Sequence, residues 1–210
     1  MEIPAGLRFK RRDAATAVSF IIVGVCVRLL LLNFNIPNIE PVMALTIIAS
    51  MVMPLALAAT VPIGIMAATD TLIYAFDVRG SYGLSMILGI TFFVWTGFLI
   101  AALAGWKLRK RFKFRVKNLG VITGAGVFAT LIFDLWTDIG VWWFAYPDHT
   151  FDDAMWVLQL QTTFTIIHVI STLIFIPLIG SGYLLLTEHK TEFSAQAPRD
   201  APEGEARPNA

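Results

Sequence analysis

Apolar runs too long for an ordinary soluble helix recur along this chain, and they leave few architectures open. A hydrocarbon core roughly 30 Å thick needs about 20 apolar residues at helical rise. Runs near that length extend from Ala14 to Leu32, Pro41 to Ala56, Ala59 to Phe76, Leu84 to Trp106, Leu119 to Gly140 and Trp156 to Thr187. Hydrophobic residues make up 57% of the 210 and charged ones 15%, with a mean hydropathy of +0.71, far from the balance of a soluble domain. The expectation is an all-α integral membrane protein with six transmembrane helices in one bundle, spanning residues 1–187. The Glu, Lys, Ser, Ala and Pro content of residues 188–210 cannot bury enough apolar surface to order itself, and reads as a disordered cytoplasmic tail.

The second and third runs are the ambiguous pair, because from Pro41 to Phe76 only Pro54 and Pro62 interrupt the apolar pattern. Charge decides between one long tilted helix and two short ones. With the basic start (Arg8, Lys10, Arg11, Arg12) inside, six spans bring Lys107, Arg109, Lys110, Arg111, Lys113, Arg115 and Lys117 to the same side, whereas five would send them across. Both termini are then cytoplasmic. The loops Asn33–Glu40, Asp77–Gly83 and Trp142–Asp153 face outward, and they are acidic and aromatic. The start imitates a signal peptide, but its apolar run is too long for a signal core and reads as a retained first span. Cys26 is the single cysteine, which excludes an internal disulfide or a cysteine metal cluster and suggests plain packing. Nothing supports nucleic-acid binding.

Polar residues inside these runs are the candidates for function. Thr130, Asp134, Asp138 and Val141 follow at spacings of three or four, as do Gln161, Thr165, His168 and Thr172, so each set forms one stripe on a helix. The two stripes should face each other, since an ionised group at the bilayer centre costs roughly 2.5–3.5 kcal/mol on insertion scales. The plain alternative is interhelical glue, worth about 0.6 kcal/mol per contact. Arg28 and Asp70 fall in the same outer half of the membrane; Arg28 reaching the interface, with Asp70 paired to it, is the plain account of both. Above them lie the aromatics Tyr82, Trp142, Trp143 and Tyr146. Together these describe an outward-facing, mostly apolar pocket with a few polar anchors. The set expected to line it is Arg28, Asn33, Asn38, Glu40, Asp70 and Tyr82 from the first half, with Asp134, Asp138, Trp142, Gln161 and His168 from the second.

Small residues mark where helices approach closely. Gly97, Ala101 and Gly105 form one stripe, Gly120 and Gly124 a second, and Ala15 with Ser19 a third that could dock a partner membrane protein. Enzyme motifs are weak. Gly80-Ser81-Tyr82-Gly83 has its serine one place early for an intramembrane protease turn, and Asp148, His149, Asp152 and Asp153 lack the helix spacing of metal ligands. No lysine lies inside a span for retinal, and no phosphate-binding loop is present, so the chain cannot power transport alone. Catalytic residues, metal and cofactor are all expected to be absent.

Ile36-Pro37-Asn38-Ile39-Glu40-Pro41-Val42 after the first span, Phe133-Asp134-Leu135 with Thr137-Asp138-Ile139-Gly140 closing the fifth, and Phe164 with His168-Val169-Ile170-Ser171 in the sixth carry a resemblance. The chain resembles the membrane substrate-binding (S) components of energy-coupling-factor vitamin transporters, over nearly the whole spanning region. It is most similar to the branch whose members are often assigned cobalamin or remain without a substrate. At the Asp138 position such sequences more often carry Asn, and where Ser19 stands, another small residue. The resemblance implies a six-helix protein in the plasma membrane of a prokaryote that captures a vitamin or related micronutrient from outside. It also implies a separate transmembrane coupling protein and two cytoplasmic ATPases as partners, with Ala15 and Ser19 on the docking face. Two other classes stay open: a membrane enzyme using Asp134 and His168 as an acid–base pair, and a non-catalytic assembly subunit needing no ligand.

Overall fold

A computed structural model of the protein describes residues 10–32, 39–76 and 83–195. They form six helices: α1 (Arg11–Leu32), α2 (Val42–Val52), α3 (Leu55–Phe76), α4 (Leu84–Arg111), α5 (Leu119–Ala145) and α6 (Phe151–Ala195), with a short 3-10 turn at Val116–Asn118. No strand occurs among the described residues. All but α2 are long and apolar enough to cross a membrane. Their outward faces carry large apolar side chains such as Ile22, Leu88, Phe92, Phe128, Leu135 and Leu178, a surface matched to lipid rather than to water. The chain is a multi-pass helical membrane protein.

The second helix differs from the span expected over Pro41–Ala56. It has 11 residues, a rise of about 16 Å, roughly half a hydrocarbon core. Pro54 ends it, because proline has no N–H to give a preceding turn, and the chain restarts at Leu55 rather than Ala59. Pro62, by contrast, is absorbed inside α3. The shortness of α2 goes with its position: every residue from Val42 to Met51 is buried, and it packs against all five other helices. A helix that is apolar on every side belongs in such a place. Its closest neighbour is α4, where Gly105 lets the backbones meet: a Cβ there would lie 2.9 Å from the Ser50 Cβ and 3.1 Å from the Ile47 carbonyl oxygen.

Arg28 near the end of α1 touches Glu40, just ahead of α2, and also Asp70, late in α3, so α2 and α3 form a hairpin. The hairpin turn sits at the opposite end of the bundle, where Arg109 donates from Nη1 to the Met53 carbonyl at 2.8 Å. Arg12 meets Tyr183 and Thr187 in one groove, and Phe114 packs edge-on against Tyr183. The basic residues of the α1 start and of the α4–α5 connection therefore collect at one end of the molecule.

Other boundaries also move. Helix α4 runs on to Arg111, α5 to Ala145, and α6 starts at Phe151 and continues to Ala195, past the Thr187 boundary expected for the membrane domain. Residues 196–210 of the expected tail lie outside the described residues. Gly97 packs on Phe133, as a close-approach stripe should, but Gly120 and Gly124 face open space and bring no helix near. Cys26 is exposed on the outer face of α1 rather than packed inside.

Candidate functional site

Helices α5 and α6 run antiparallel from a short turn, and their polar stripes meet. Thr130 and Thr172 share a hydrogen bond of 2.8 Å, and one turn nearer the connecting loop His168 Nδ1 lies 2.8 Å from Asp134 Oδ1. Spacing of four on each helix sets this ladder. The turn is built locally: Thr150 and Asp153 cap α6 reciprocally, Asp153 N–H donating to Thr150 Oγ1 at 3.1 Å while Asp153 Oδ2 accepts from the Thr150 hydroxyl at 2.7 Å. Trp142 Nε1 donates to the Thr150 carbonyl at 3.2 Å. His149, at φ 49°, stacks on Trp143 with centroids 4.6 Å apart.

A second cluster sits across the bundle. Arg28 Nε lies 2.7 Å from Glu40 Oε2, and Nη1 lies 2.8 Å from Asp70 Oδ1 and also donates to the Thr69 hydroxyl. Trp95 of α4 is partly buried, and its Nε1 has no hydrogen-bond partner. Glu40 joins the two clusters through its backbone: its N–H donates to Ser171 Oγ at 3.0 Å, and its carbonyl accepts from the same hydroxyl at 2.7 Å. Ser171 is one turn along α6 from His168. Arg28, Glu40, Asp70, His168 and Asp134 thus form one polar belt through α1, the lead into α2, α3, α6 and α5.

The two clusters differ in what they leave over: around Arg28 the charges are matched, and the atoms without an aligned hydrogen bond are Arg28 Nε, itself in an ion pair with Glu40, and the neutral Trp95 Nε1. Asp134 and His168 are 5% and 2% exposed, and Asp134 Oδ2 and His168 Nε2 are buried without a partner. With Asp134 ionised, the 2.8 Å contact requires Nδ1–H as donor, which leaves Nε2 a bare acceptor in neutral imidazole and a donor in imidazolium. The ring is held edge-on to Phe133 at 5.4 Å, itself packed on Phe98 at 4.5 Å. Asp134 also lines a crevice of about 300 Å³ between α5 and α6, with Asp138, Thr162 and Thr165 around it and Leu131, Leu135, Leu158 and Ile166 as walls. Asp138 borders a smaller hollow of about 90 Å³ beneath Trp142.

Of the expected lining residues, the structure brings Arg28, Glu40 and Asp70 into one cluster, and Asp134 and His168 into the other with Asp138 on the adjoining crevice. Arg28 turns into the protein to its two carboxylates rather than only reaching toward an interface. Trp142, in the last turns of α5, lines the smaller hollow with Asp138, and Gln161 lies half-buried on α6, lining neither hollow. Asn33, Asn38 and Tyr82 fall outside the described residues. Ala15 and Ser19 are exposed and line a groove of about 400 Å³ between α1 and α6. Ser171 and Thr69 join the belt without a signal in the charge pattern; Ser171, three residues after His168, shares its helix face, and that spacing alone could have found it. Among the described residues no three His, Cys, Asp or Glu side chains gather as a metal would need.

Residues 9–196 match the profile of DUF6580, a family of unknown function. The chain belongs to that family. The match runs through all six helices, so the polar belt lies wholly within the DUF6580 region. No curated protein and no solved structure matches the chain.

Proposed function

We propose that this DUF6580 protein is the substrate-capturing component of an energy-coupled importer, taking a small vitamin-like nutrient from the side opposite its basic loops. One observation carries the reading: a buried carboxylate oxygen and a buried ring nitrogen, Asp134 Oδ2 and His168 Nε2, have no partner inside a belt fed by five segments of the chain. Such atoms cost about 1–3 kcal/mol each when left unpaired, and a ligand is the ordinary way to satisfy them. With Glu40 and Asp70 paired to Arg28, the carboxyls of Asp134 and Asp138 stand beside one imidazole at the crevice, so the ligand class that fits is rich in hydrogen-bond donors or positively charged.

In this reading α2 and its lead-in complete a sixth pass, and both termini lie in the cytoplasm of a prokaryotic cell with the basic loop between α4 and α5, as positive charge on cytoplasmic loops favours. The exposed Ala15 and Ser19 then face a transmembrane coupling protein, and two cytoplasmic ATPases supply the energy, because the chain carries no phosphate-binding loop of its own. Mass spectrometry of the full-length protein purified from its native membrane tests the capture step. One small molecule released stoichiometrically on denaturation supports it; release of nothing beyond lipid, with no binding to any vitamin class by calorimetry, ends it.

The 2.8 Å contact between Asp134 and His168 favours one other reading, a membrane enzyme with an acid–base pair. Turnover of a small molecule by the purified chain, without a coupling partner, is what that reading requires.

A further inference from the structure

The largest of the grooves described opens at the basic end and runs along α5 as far as Ile132, with none of the polar-belt side chains in its lining. It encloses about 490 Å³ between α4 and α5, and α2 contributes Ile47 to its floor. Gly105, Ala125 and Ala129 keep that floor open, because none of them has a side chain long enough to fill the space. Its rim is different in character: Lys107, Lys110 and Arg111 border it, all three are exposed, and no acidic residue lines it. Lys110 Nζ sits 3.7 Å above the Trp106 ring, which holds the ammonium against the helix. The neighbouring Arg109 is committed elsewhere, to the Met53 carbonyl. The last turns of α4 thus divide their cations, one inward to fasten the α2–α3 turn and three around an apolar groove.

We infer that this groove is a binding site for an acidic phospholipid of the leaflet at the basic end, with the phosphate among Lys107, Lys110 and Arg111 and an acyl chain along the floor. The charge on the rim and the apolar floor act together here: a soluble anion would use only the rim, and a neutral lipid only the floor. From Ala104 to Arg111 the groove follows roughly 10 Å of helix, enough for the first part of an acyl chain below its headgroup. Anionic leaflets attract basic side chains at a membrane surface, and the groove turns that general attraction into a seat for one molecule.

Native mass spectrometry of the delipidated full-length protein with equal phosphatidylglycerol and phosphatidylcholine of matched chains tests the site. The expected result is a phosphatidylglycerol preference of roughly fivefold or more, falling below about twofold in Lys107→Gln/Lys110→Gln/Arg111→Gln. Substituting Lys113→Gln/Arg115→Gln/Lys117→Gln, on the same connection but off the groove, should leave the preference intact, and Ala125→Phe should reduce adducts of both lipids by filling the floor. No preference in the wild type, or equal loss in both triple variants, overturns the site by making the attraction absent or diffuse. Displacement of the bound phosphatidylglycerol by inorganic phosphate overturns it too, since the rim would then be an anion site without a lipid.

Discussion

Two ionic clusters occupy one layer of the bundle, and they are built to opposite rules. Around Arg28, two carboxylates and a hydroxyl converge on a single guanidinium, each within contact distance. Between α5 and α6, one carboxylate meets one imidazole and each keeps a second polar atom buried and unused. The first sets every charge against an opposite charge and ties α1, the start of α2 and α3 together, although Arg28 Nε and the neighbouring Trp95 Nε1 are buried without an aligned hydrogen bond. The second stops one bond short on each side, beside a crevice that reaches the lipid-facing surface. Burial alone therefore does not distinguish a clamp from a site; what separates them is that Arg28 has an opposite charge on each side, whereas Asp134 Oδ2 and His168 Nε2 face neither a charge nor a hydrogen-bond partner.

The largest effect should come from breaking the clamp. Replacing Arg28 with Met keeps the volume but leaves Glu40 and Asp70 as unpaired, partly buried acids; breaking a fully buried ion pair costs about 3–5 kcal/mol, and this partly exposed cluster should lose up to about 3 kcal/mol. We expect thermal unfolding of the ligand-free protein in detergent to shift down strongly. Arg28→Met melting together with the wild type would mean that the cluster holds nothing, and the contrast between the two regions would disappear.

The second effect is smaller and should appear in a different measurement. If Asp134 Oδ2 and His168 Nε2 serve a ligand, His168→Ala and Asp134→Asn should weaken binding by about 1–3 kcal/mol, roughly tenfold or more in dissociation constant. Calorimetric titration with the co-purifying molecule reads affinity, and melting curves without it read stability. Unchanged affinity in both variants, with a fall only in melting temperature, would move the pair into the same class as the Arg28 clamp.

Much of this contrast was legible in the residues, and the limits are physical. Apolar run length located α1, α3, α4, α5 and α6, because spanning a bilayer fixes length. It could not size α2, whose surroundings are protein on every side and whose sequence is apolar like a lipid-facing span. Four-residue spacing brought Asp134 to His168 and Thr130 to Thr172, since a helix face is a local property. The Glu40–Ser171 link escaped it, because a backbone N–H and carbonyl of a non-helical segment leave no mark in a side-chain pattern. Nor does sequence distinguish used from unused polar atoms, which depends on three helices meeting at one point.

That link supplies the next test. Ser171→Ala removes the hydroxyl that serves both the N–H and the carbonyl of Glu40, in a partly buried setting, and should cost about 1 kcal/mol. Its value lies in direction. If the Arg28 cluster also positions the α6 half of the site, Ser171→Ala should lower ligand affinity as well as melting temperature, although it touches neither Asp134 nor His168 in the described contacts. A loss of stability with affinity unchanged would show two clusters that share a layer and nothing more.

The smallest effect calibrates the rest. Thr130 and Thr172 bond to each other one turn from Asp134 and His168, fully buried, and each hydroxyl of the pair is satisfied, with Thr130 Oγ1 also 3.0 Å from the Gly126 carbonyl. They are the glue that the α5–α6 seam would have without any ligand. A double-mutant cycle with Thr130→Val and Thr172→Val should give a coupling of about 0.6 kcal/mol, the usual size for such bonds inside membrane proteins, and ligand affinity should not move. The same cycle on Asp134→Asn and His168→Ala then has a reference from the same helices. A similar coupling seen only in stability would make the acid and the imidazole two more rungs of the seam. A coupling several times larger, carried by affinity and not by melting, would set the pair apart from the ladder it stands in.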